Sequence, residues 1–123
     1  MIGHARETAP LECCGLLIGT GDDSVEAVRA RNIAEEPATR FLVDPEDHFR
    51  ARRAARERGL EVVGFYHSHP GSAPEPSPRD LAEFSYPGHL YAIVSLRAER
   101  AEVALFRFEG GNFQRLSFVT APE

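Results

Sequence analysis

The hydrophobic positions of the chain fall into short runs that predict strands separated by turns and helices. "CGLLIGT", "SVEAVRARNIA" and "RFLVD" predict three strands, with a turn at "GTGDD" between the first two. "LEVVGFYHSH" and "HLYAIVSL" predict two further strands, and the second of these is expected at the centre of the sheet. "AEVALFRFEGGNFQRLSFV" predicts a final hairpin that turns at Gly110-Gly111-Asn112.

Three segments carry helix signals. "MIGHARETAP" predicts the end of a helix closed by Pro10. A second helix is expected to begin after the N-cap residue Asp44, with Pro45 at the first helical position, and to end at Gly59. "SPRDLAEF" predicts a third, short helix. Together the elements predict an α+β fold with some α/β character, a single mixed β-sheet flanked by helices in one domain spanning residues 1–123.

Composition narrows the class of protein. The 123 residues suffice for one hydrophobic core, and 42% apolar with 27% charged residues is ordinary for a globular domain. The net charge of −5 and the absence of lysine disfavour a nucleic-acid-binding surface. The arginine cluster "RARRAARER" alternates with alanine, which favours a solvated helix face. No apolar run reaches the length of about 18 residues that a membrane span needs, and no signal segment opens the chain, so a cytoplasmic protein is expected.

The two cysteines, Cys13 and Cys14, are adjacent in the chain. Neighbouring residues are poorly placed to form a stabilising disulfide, and a reducing compartment suits them. A cysteine-protease interpretation would require activation of one thiol by His67 or His69. Burial beneath the first strand is the simpler expectation for at least one of them.

The stretch "GFYHSHPGSAPEPSPRD" carries the candidate chemistry. His67 and His69 are two apart at the end of a predicted strand, so their side chains share a face of the sheet. Asp80 can add an oxygen ligand, and three protein ligands that leave one position open are typical of catalytic zinc. A local interpretation remains open at this point, because Ser77 and Asp80 would also cap a helix that begins at Pro78, and two histidines can be ordinary loop residues.

The same stretch resembles the JAMM motif, the MPN+ signature of zinc metalloproteases, which reads H-S-H-x7-S-x-x-D. His67, His69, Ser77 and Asp80 match it without a gap, and Glu12 in "PLECCGLLIG" matches the upstream glutamate of that family. "FLVDPEDHF", "VVGFYHSHP" and "LYAIVSL" follow in the family's order, so the resemblance covers nearly the whole chain. It implies a cytidine-deaminase-like JAMM/MPN fold. Because about eleven residues precede Glu12, the family's N-terminal strand is expected to be missing.

The resemblance also implies roles for these residues. His67, His69 and Asp80 would hold one Zn²⁺ per chain, Glu12 would be the general base, and Ser77 would donate a hydrogen bond to the oxyanion. Ser68 is expected to face away from the ligands and to pack behind them.

The chain looks most similar to the small bacterial Mec-like and QbsD-like branch. That likeness implies removal of a C-terminal amino acid, such as cysteine, or of a short extension after the Gly-Gly end of a ubiquitin-fold sulfur-carrier protein, with no nucleic-acid or membrane partner. Two alternatives stay open: a non-catalytic MPN scaffold that binds partners, and a metallohydrolase of small amides.

Overall fold

A computed structural model describes residues 1–20, 24–78, 80 and 88–119. The elements, in chain order, are helix α1 (Ile2–Thr8), strands β1 (Cys14–Thr20) and β2 (Ser24–Ala30), helix α2 (Pro45–Glu57), and strands β3 (Glu61–His69), β4 (Leu90–Ser95), β5 (Glu102–Glu109) and β6 (Asn112–Leu116).

The six strands form one mixed sheet in the order β2-β1-β3-β4-β5-β6. The β3–β4 pair is parallel, and the other four neighbouring pairs are antiparallel. The predicted fold class, an α+β arrangement of a single mixed sheet with helices against it, is confirmed. The predicted hairpin turn is also confirmed, since Gly110 and Gly111 both have positive φ, as a tight turn between right-twisted strands requires.

The two faces of the sheet carry separate hydrophobic cores. Side chains alternate between faces along each strand, so Cys14, Leu16 and Phe65 pack on one side while Cys13, Leu17 and Tyr66 pack on the other. Helix α2 covers the first face through Ala51, and helix α1 covers the second through Ala5. The side chains of β4 are buried at all six positions, which fits a central strand covered on both faces.

The parallel pair β3–β4 requires a close backbone approach. Gly64 lies opposite Leu90, and a Cβ atom at Gly64 would collide with the Leu90 carbonyl. A glycine at this point therefore lets β3 and β4 run side by side, which brings the end of β3 next to the end of β4.

Helix α2 begins and ends where the sequence predicts. The Asp44 Oδ1 accepts a hydrogen bond from the Glu46 N–H at 2.9 Å, Pro45 follows the cap, and Gly59 has a φ of 73° just beyond the end of the helix. The small residues Ala51 and Ala55 face the sheet, so the helix lies close to it while its arginines point outwards.

The prediction of a strand at "RFLVD" is wrong. A single bridge between Asn32 and Val43 is the only strand-like pairing of this segment among the described residues. Two backbone hydrogen bonds flank this bridge, and the Asn32 side chain bonds the Arg40 carbonyl and the Leu42 N–H beyond it. Strand β2 likewise ends at Ala30 rather than continuing through "RNIA".

The predicted helix "SPRDLAEF" falls largely outside the described residues, since 79 and 81–87 are not among them; Pro78 and Asp80 are helical. In the part of the chain that the structure describes, no helix combines the length and the apolar character needed to cross a membrane.

Candidate metal centre

Three ligand-bearing side chains meet at the carboxyl end of β3. His67 and His69 point to the same face, and the Nε2 atoms of the two rings are 3.1 Å apart. The Asp80 Oδ2 lies 3.2 Å from the first Nε2 and 3.3 Å from the second. All three residues are buried, with at most 7% of their surface exposed. The structure thus brings together the three residues that the sequence predicts as metal ligands.

These separations fit a tetrahedral metal ion. Zinc–nitrogen and zinc–oxygen bonds of about 2.0–2.2 Å with tetrahedral angles give ligand-to-ligand distances of about 3.3–3.5 Å. The observed edges of 3.1–3.3 Å are close to that value. Three atoms that all carry lone pairs repel each other at this range unless a cation or a proton lies between them. The chemistry of the donor set therefore fits a divalent metal ion.

The two imidazoles are oriented in different ways. The Nδ1 of His69 is 2.8 Å from the Ala73 carbonyl oxygen, so this nitrogen carries the proton and the Nε2 lone pair is left for a ligand role. The Nδ1 of His67 has no hydrogen-bond partner within the described ranges. The ring of Phe41 instead stacks on His67, with 4.2 Å between the ring centroids.

The charge states of the three groups are strongly coupled. Burial lowers the pKa of His67 below its ordinary value and outweighs the opposing effect of Asp80. Burial also acts to lower the pKa of His69, but the hydrogen bonds to Asp80 and Ala73 raise it overall. Burial of Asp80 acts to raise the pKa of its carboxyl group, yet the two imidazoles hold that pKa far below the ordinary value. The two histidines thus differ in electrostatic environment although both face Asp80.

Asp80 also closes a local turn with Ser77. The Ser77 N–H donates to Asp80 Oδ2 at 2.8 Å, and the Asp80 N–H donates to Ser77 Oγ at 3.0 Å. This reciprocal pair is the capping arrangement of a helix start, so the local interpretation of these residues is correct as far as it goes. The cap and a ligand role are compatible. The Oδ2 atom that accepts the Ser77 N–H also lies near both histidine rings, and a carboxylate oxygen has more than one lone pair. The Ser77 hydroxyl uses a lone pair for the cap, which leaves its hydrogen to donate elsewhere.

Glu12 lies beside the cluster, two residues before the start of the neighbouring strand β1. Cys14 pairs with His67, and the Ser68 N–H donates to the Cys13 carbonyl at 3.1 Å. Continuing this antiparallel register places Glu12 opposite His69, on the same face of the sheet. Its side chain is buried, and its negative charge contributes to raising the pKa of His69. Glu12 is therefore positioned next to the three residues that could hold a metal ion and is not part of that cluster.

The backbone of Glu12 is held by the loop between β2 and α2. The hydrophobic pattern of the strands does not predict this contact. The Glu12 N–H donates to the Pro37 carbonyl at 2.8 Å, and the Asn32 side-chain amide donates to the Glu12 carbonyl at 3.0 Å. The same amide donates to the Arg40 carbonyl, and Asn32 Oδ1 accepts from the N–H groups of Ala34 and Leu42. One side chain thus connects the general-base candidate to the segment that carries Phe41.

The proline-rich loop is anchored where it leaves the site. The buried Ser95 hydroxyl donates to the Ser72 carbonyl at 2.5 Å, next to the Ala73 carbonyl that holds His69. Ser95 is the parallel partner of His69 at the end of β4. The close β3–β4 pairing therefore fixes the ligand-bearing strand and the loop together.

The cysteines are buried on opposite faces of the sheet, as expected for structural residues. Burial raises the pKa of the Cys13 thiol, and burial together with neighbouring negative charges raises that of Cys14 to about 12. Thiols that resist ionisation do not favour a cysteine-protease interpretation. Ser68 faces away from the ligands, as predicted, and its Oγ accepts a hydrogen bond from the Cys13 N–H at 2.8 Å.

The sequence did not indicate Phe41, Asn32 or Ser95 as parts of the site. All three act through contacts with residues at least twenty positions away. For Asn32 a weak signal existed, since an asparagine directly after a strand commonly bonds the backbone of the following loop.

Fold and site together define an α+β domain with a buried cluster of two histidines and one aspartate, suited to holding a metal ion, beside a glutamate. Residues 1–109 match the family model described as prokaryotic homologs of the JAB domain. The chain belongs to this prokaryotic JAB, or JAMM/MPN, family, and the resemblance predicted from the sequence is confirmed.

Known relatives agree with this assignment. The chain is 37% identical over 123 residues to a desampylase of Haloferax volcanii, covering 95% of this chain and 86% of the relative. It is 32% identical over 113 residues to a CysO-cysteine peptidase of Mycobacterium tuberculosis, covering 90% and 77% respectively. Among solved structures, a protein of Desulfitobacterium hafniense superposes with a TM-score of 0.87 at 28% identity, covering 100% of this chain and 87% of the other.

Proposed function

We propose that the chain is a zinc metallopeptidase that cleaves the bond after the C-terminal Gly-Gly of a ubiquitin-fold sulfur-carrier protein. Residues 1–123 would act as one domain. The observation that carries the proposal is the triangle of His67 Nε2, His69 Nε2 and Asp80 Oδ2, with sides of 3.1–3.3 Å, beside the buried Glu12. The names of the two relatives, a desampylase and a CysO-cysteine peptidase, support this substrate class.

His67, His69 and Asp80 would hold the ion, with a fourth position open to water or substrate. A zinc ion supplies Lewis acidity, which polarises a carbonyl group and makes a nucleophile available from water near neutral pH. The chain contributes the dry surroundings and the fixed ligand directions, through the Ala73 carbonyl for His69 and the Phe41 ring for His67.

Glu12 would move the proton. Its carboxylate takes a proton from the attacking water and returns that proton to the leaving nitrogen, which then departs as a neutral amine rather than as an anion. The hydrogen bonds from Asn32 and to Pro37 hold its backbone in place for this transfer. Ser77 would donate its hydroxyl hydrogen to the oxygen of the scissile carbonyl, where negative charge develops.

The released group is a C-terminal amino acid, such as cysteine, or a short extension. We place the enzyme in a reducing compartment, the cytoplasm, because both cysteines are free thiols.

The first test is metal content. We expect elemental analysis of the purified protein to find about one zinc per chain, and chelation to remove it. A His67→Ala/His69→Ala variant should lose the metal. A matched His48→Ala/His89→Ala variant, which removes two histidines away from the cluster, should retain it. Absence of bound metal after reconstitution would favour the non-catalytic scaffold.

The second test is hydrolysis. Ubiquitin-fold carriers extended beyond Gly-Gly by cysteine or by a short peptide are incubated with the zinc-loaded enzyme, and release of the extension is followed by mass spectrometry. Cleavage directly after the second glycine supports the proposal. A zinc-loaded enzyme that cleaves small amides but no carrier would instead be a small-amide metallohydrolase.

A further inference from the structure

A second site lies on the same face of the sheet as the metal centre. An open cleft of about 370 Å³ lies between helix α2, the start of β3 and the residue before β4. Its principal lining residues are His48, Arg52, Arg56, Glu61, Phe65 and His89. Phe65, His67 and His69 alternate along β3 on one face, so about 13 Å of strand separates the floor of the cleft from His69.

The helix presents a stripe of basic residues to this cleft. His48, Arg52 and Arg56 are four residues apart, which places them on one side of α2. Arg50 and Arg53, which point elsewhere, form ion pairs with Glu46 and Glu57. Arg52 and Arg56 have no ion pair or hydrogen bond among the described residues. The arginines of α2 thus divide into two that have an acidic partner on the helix and two that face the cleft without one in the described part of the chain.

The shape and lining of the cleft favour a protein segment over a small molecule. Arg52 and Arg56 are exposed and Phe65 is buried, with the His89 ring stacked on it at 6.0 Å. A small ligand needs a concave pocket that encloses most of its surface, and this open cleft, mainly polar although Leu60, Val62 and Phe65 also line it, does not provide one. Exposed guanidinium groups on a helix suit carboxylates presented by another protein.

Charge complementarity indicates which partner fits. The chain carries a net charge of −5, so an acidic protein is repelled by most of its surface and attracted at the Arg52–Arg56 stripe. Glu61 at the rim is the one carboxylate that lines the described cleft, and it limits the attraction without cancelling two guanidinium charges.

We propose that the Arg52–Arg56 cleft docks an acidic surface segment of the protein substrate and so orients the substrate with its C-terminal tail at the metal centre. The identity of the partner as substrate rests on the proposed function. The docking of an acidic segment rests on the cleft itself and is tested without hydrolysis.

The direct test measures binding of a fluorescein-labelled hexaglutamate peptide to the metal-free protein by anisotropy, with hexaserine as the neutral comparison. The Arg52→Glu/Arg56→Glu variant should bind hexaglutamate about tenfold more weakly. Arg50→Glu/Arg53→Glu makes the same change of charge on the same helix and should bind within about twofold of the wild type. Raised salt should weaken the wild-type interaction, because exposed charges are screened.

Several results would overturn the docking inference. The inference fails if hexaglutamate binds no more tightly than hexaserine. It also fails if both double variants lose the same amount of affinity for hexaglutamate. If inorganic phosphate at the same concentration of charge displaces hexaglutamate, the cleft is a general anion site. If an oligothymidylate binds the same residues more tightly than hexaglutamate and in a salt-dependent way, the cleft is a nucleic-acid surface.

Kinetics connect the cleft to the proposed function. For a carrier that the wild type cleaves, the Arg52→Glu/Arg56→Glu variant should raise KM about tenfold with kcat retained, and should leave cleavage of a short peptide with the same C-terminal sequence unchanged. An equal effect on carrier and peptide would overturn the inference. If the wild type cleaves no carrier, the proposed function fails, while the hexaglutamate measurement still decides whether the cleft binds acidic segments.

Discussion

The ring of Phe41 lies nearly parallel to the imidazole of His67, with 4.2 Å between their centroids and 18° between their planes. His69 is oriented by the Ala73 carbonyl, whereas the buried Nδ1 of His67 has no such partner in the described part of the chain. The aromatic contact therefore orients the His67 ring, as the hydrogen bond to Ala73 orients the ring of His69.

We expect Phe41→Leu to weaken zinc binding about tenfold, because the substitution keeps an apolar side chain but removes the flat surface that holds the His67 ring. Competition with a chromophoric chelator measures the affinity. The control is Phe106→Leu, which makes the same change in the core on the same face of the sheet without touching a ligand residue. Equal affinity in the two variants would mean that Phe41 is only a core residue.

Asn32→Asp tests the connection between Glu12 and the Phe41 segment. The substitution preserves shape but replaces the two N–H donors, which bond the carbonyls of Glu12 and Arg40, with an oxygen that repels them. We expect a loss of about 1–3 kcal/mol in the free energy of unfolding, measured in urea, and a fall in activity. Asn112→Asp removes one long, exposed hydrogen bond of 3.4 Å to Gly110 and should cost less than about 0.5 kcal/mol. Similar losses at both positions would contradict a linking role for Asn32.

The sequence is sufficient to predict those parts of the site that depend on local rules. The period of a strand places His67 and His69 on one face, and the spacing from Ser77 to Asp80 is that of a helix cap. Strands β1, β3 and β4 are recognisable because they are buried runs bounded by turn residues. None of these features depends on which segment packs against which.

The remaining parts depend on tertiary contacts. The β1–β3 register, which sets Glu12 opposite His69, and the contact of Phe41 with His67 join residues far apart in the chain. The strand predicted at "RFLVD" fails for the same reason, since its apolar residues match a strand but its pairing stops at a single bridge, beyond which the Asn32 side chain bonds its backbone. An apolar pattern shows that Phe41 is buried without showing what it packs against.

Thiol reactivity distinguishes the buried cysteines from a catalytic nucleophile. Burial raises the pKa of Cys14 to about 12, so very little of this thiol is ionised at pH 8. We expect both cysteines of the folded protein to react with a disulfide reagent at least about 100-fold more slowly than in urea. Because the folded-state pKa of Cys14 is the higher one, its contribution to stability is complete below pH 9 and is lost as the pH rises towards 12. Rapid labelling of the native protein at pH 8, with loss of hydrolysis, would restore the cysteine-protease interpretation.

Asp80→Asn separates the two roles of this residue. The amide oxygen can still accept the Ser77 N–H, so the cap is retained and the unfolding free energy of the metal-free protein should change by no more than about 1 kcal/mol. The negative charge facing the two histidines is removed, and zinc affinity should fall by at least about tenfold. Asp44→Asn makes the same change at the N-cap of α2 and should leave zinc affinity unaltered. Tight zinc binding in Asp80→Asn would mean that Asp80 is a cap alone.

Glu12→Gln tests proton transfer apart from metal binding. Glutamine fills the same space beside His69 but cannot take up a proton from water, so we expect hydrolysis to fall about 100- to 10,000-fold while zinc stays near one per chain. Glu35→Gln removes the same charge at an exposed position in the neighbouring loop and should keep activity within about twofold of the wild type. Loss of zinc from Glu12→Gln would make Glu12 a ligand and would change the assignment of the site. Retained activity would place the general base elsewhere, because a carboxamide has no basic site that accepts a proton near neutral pH.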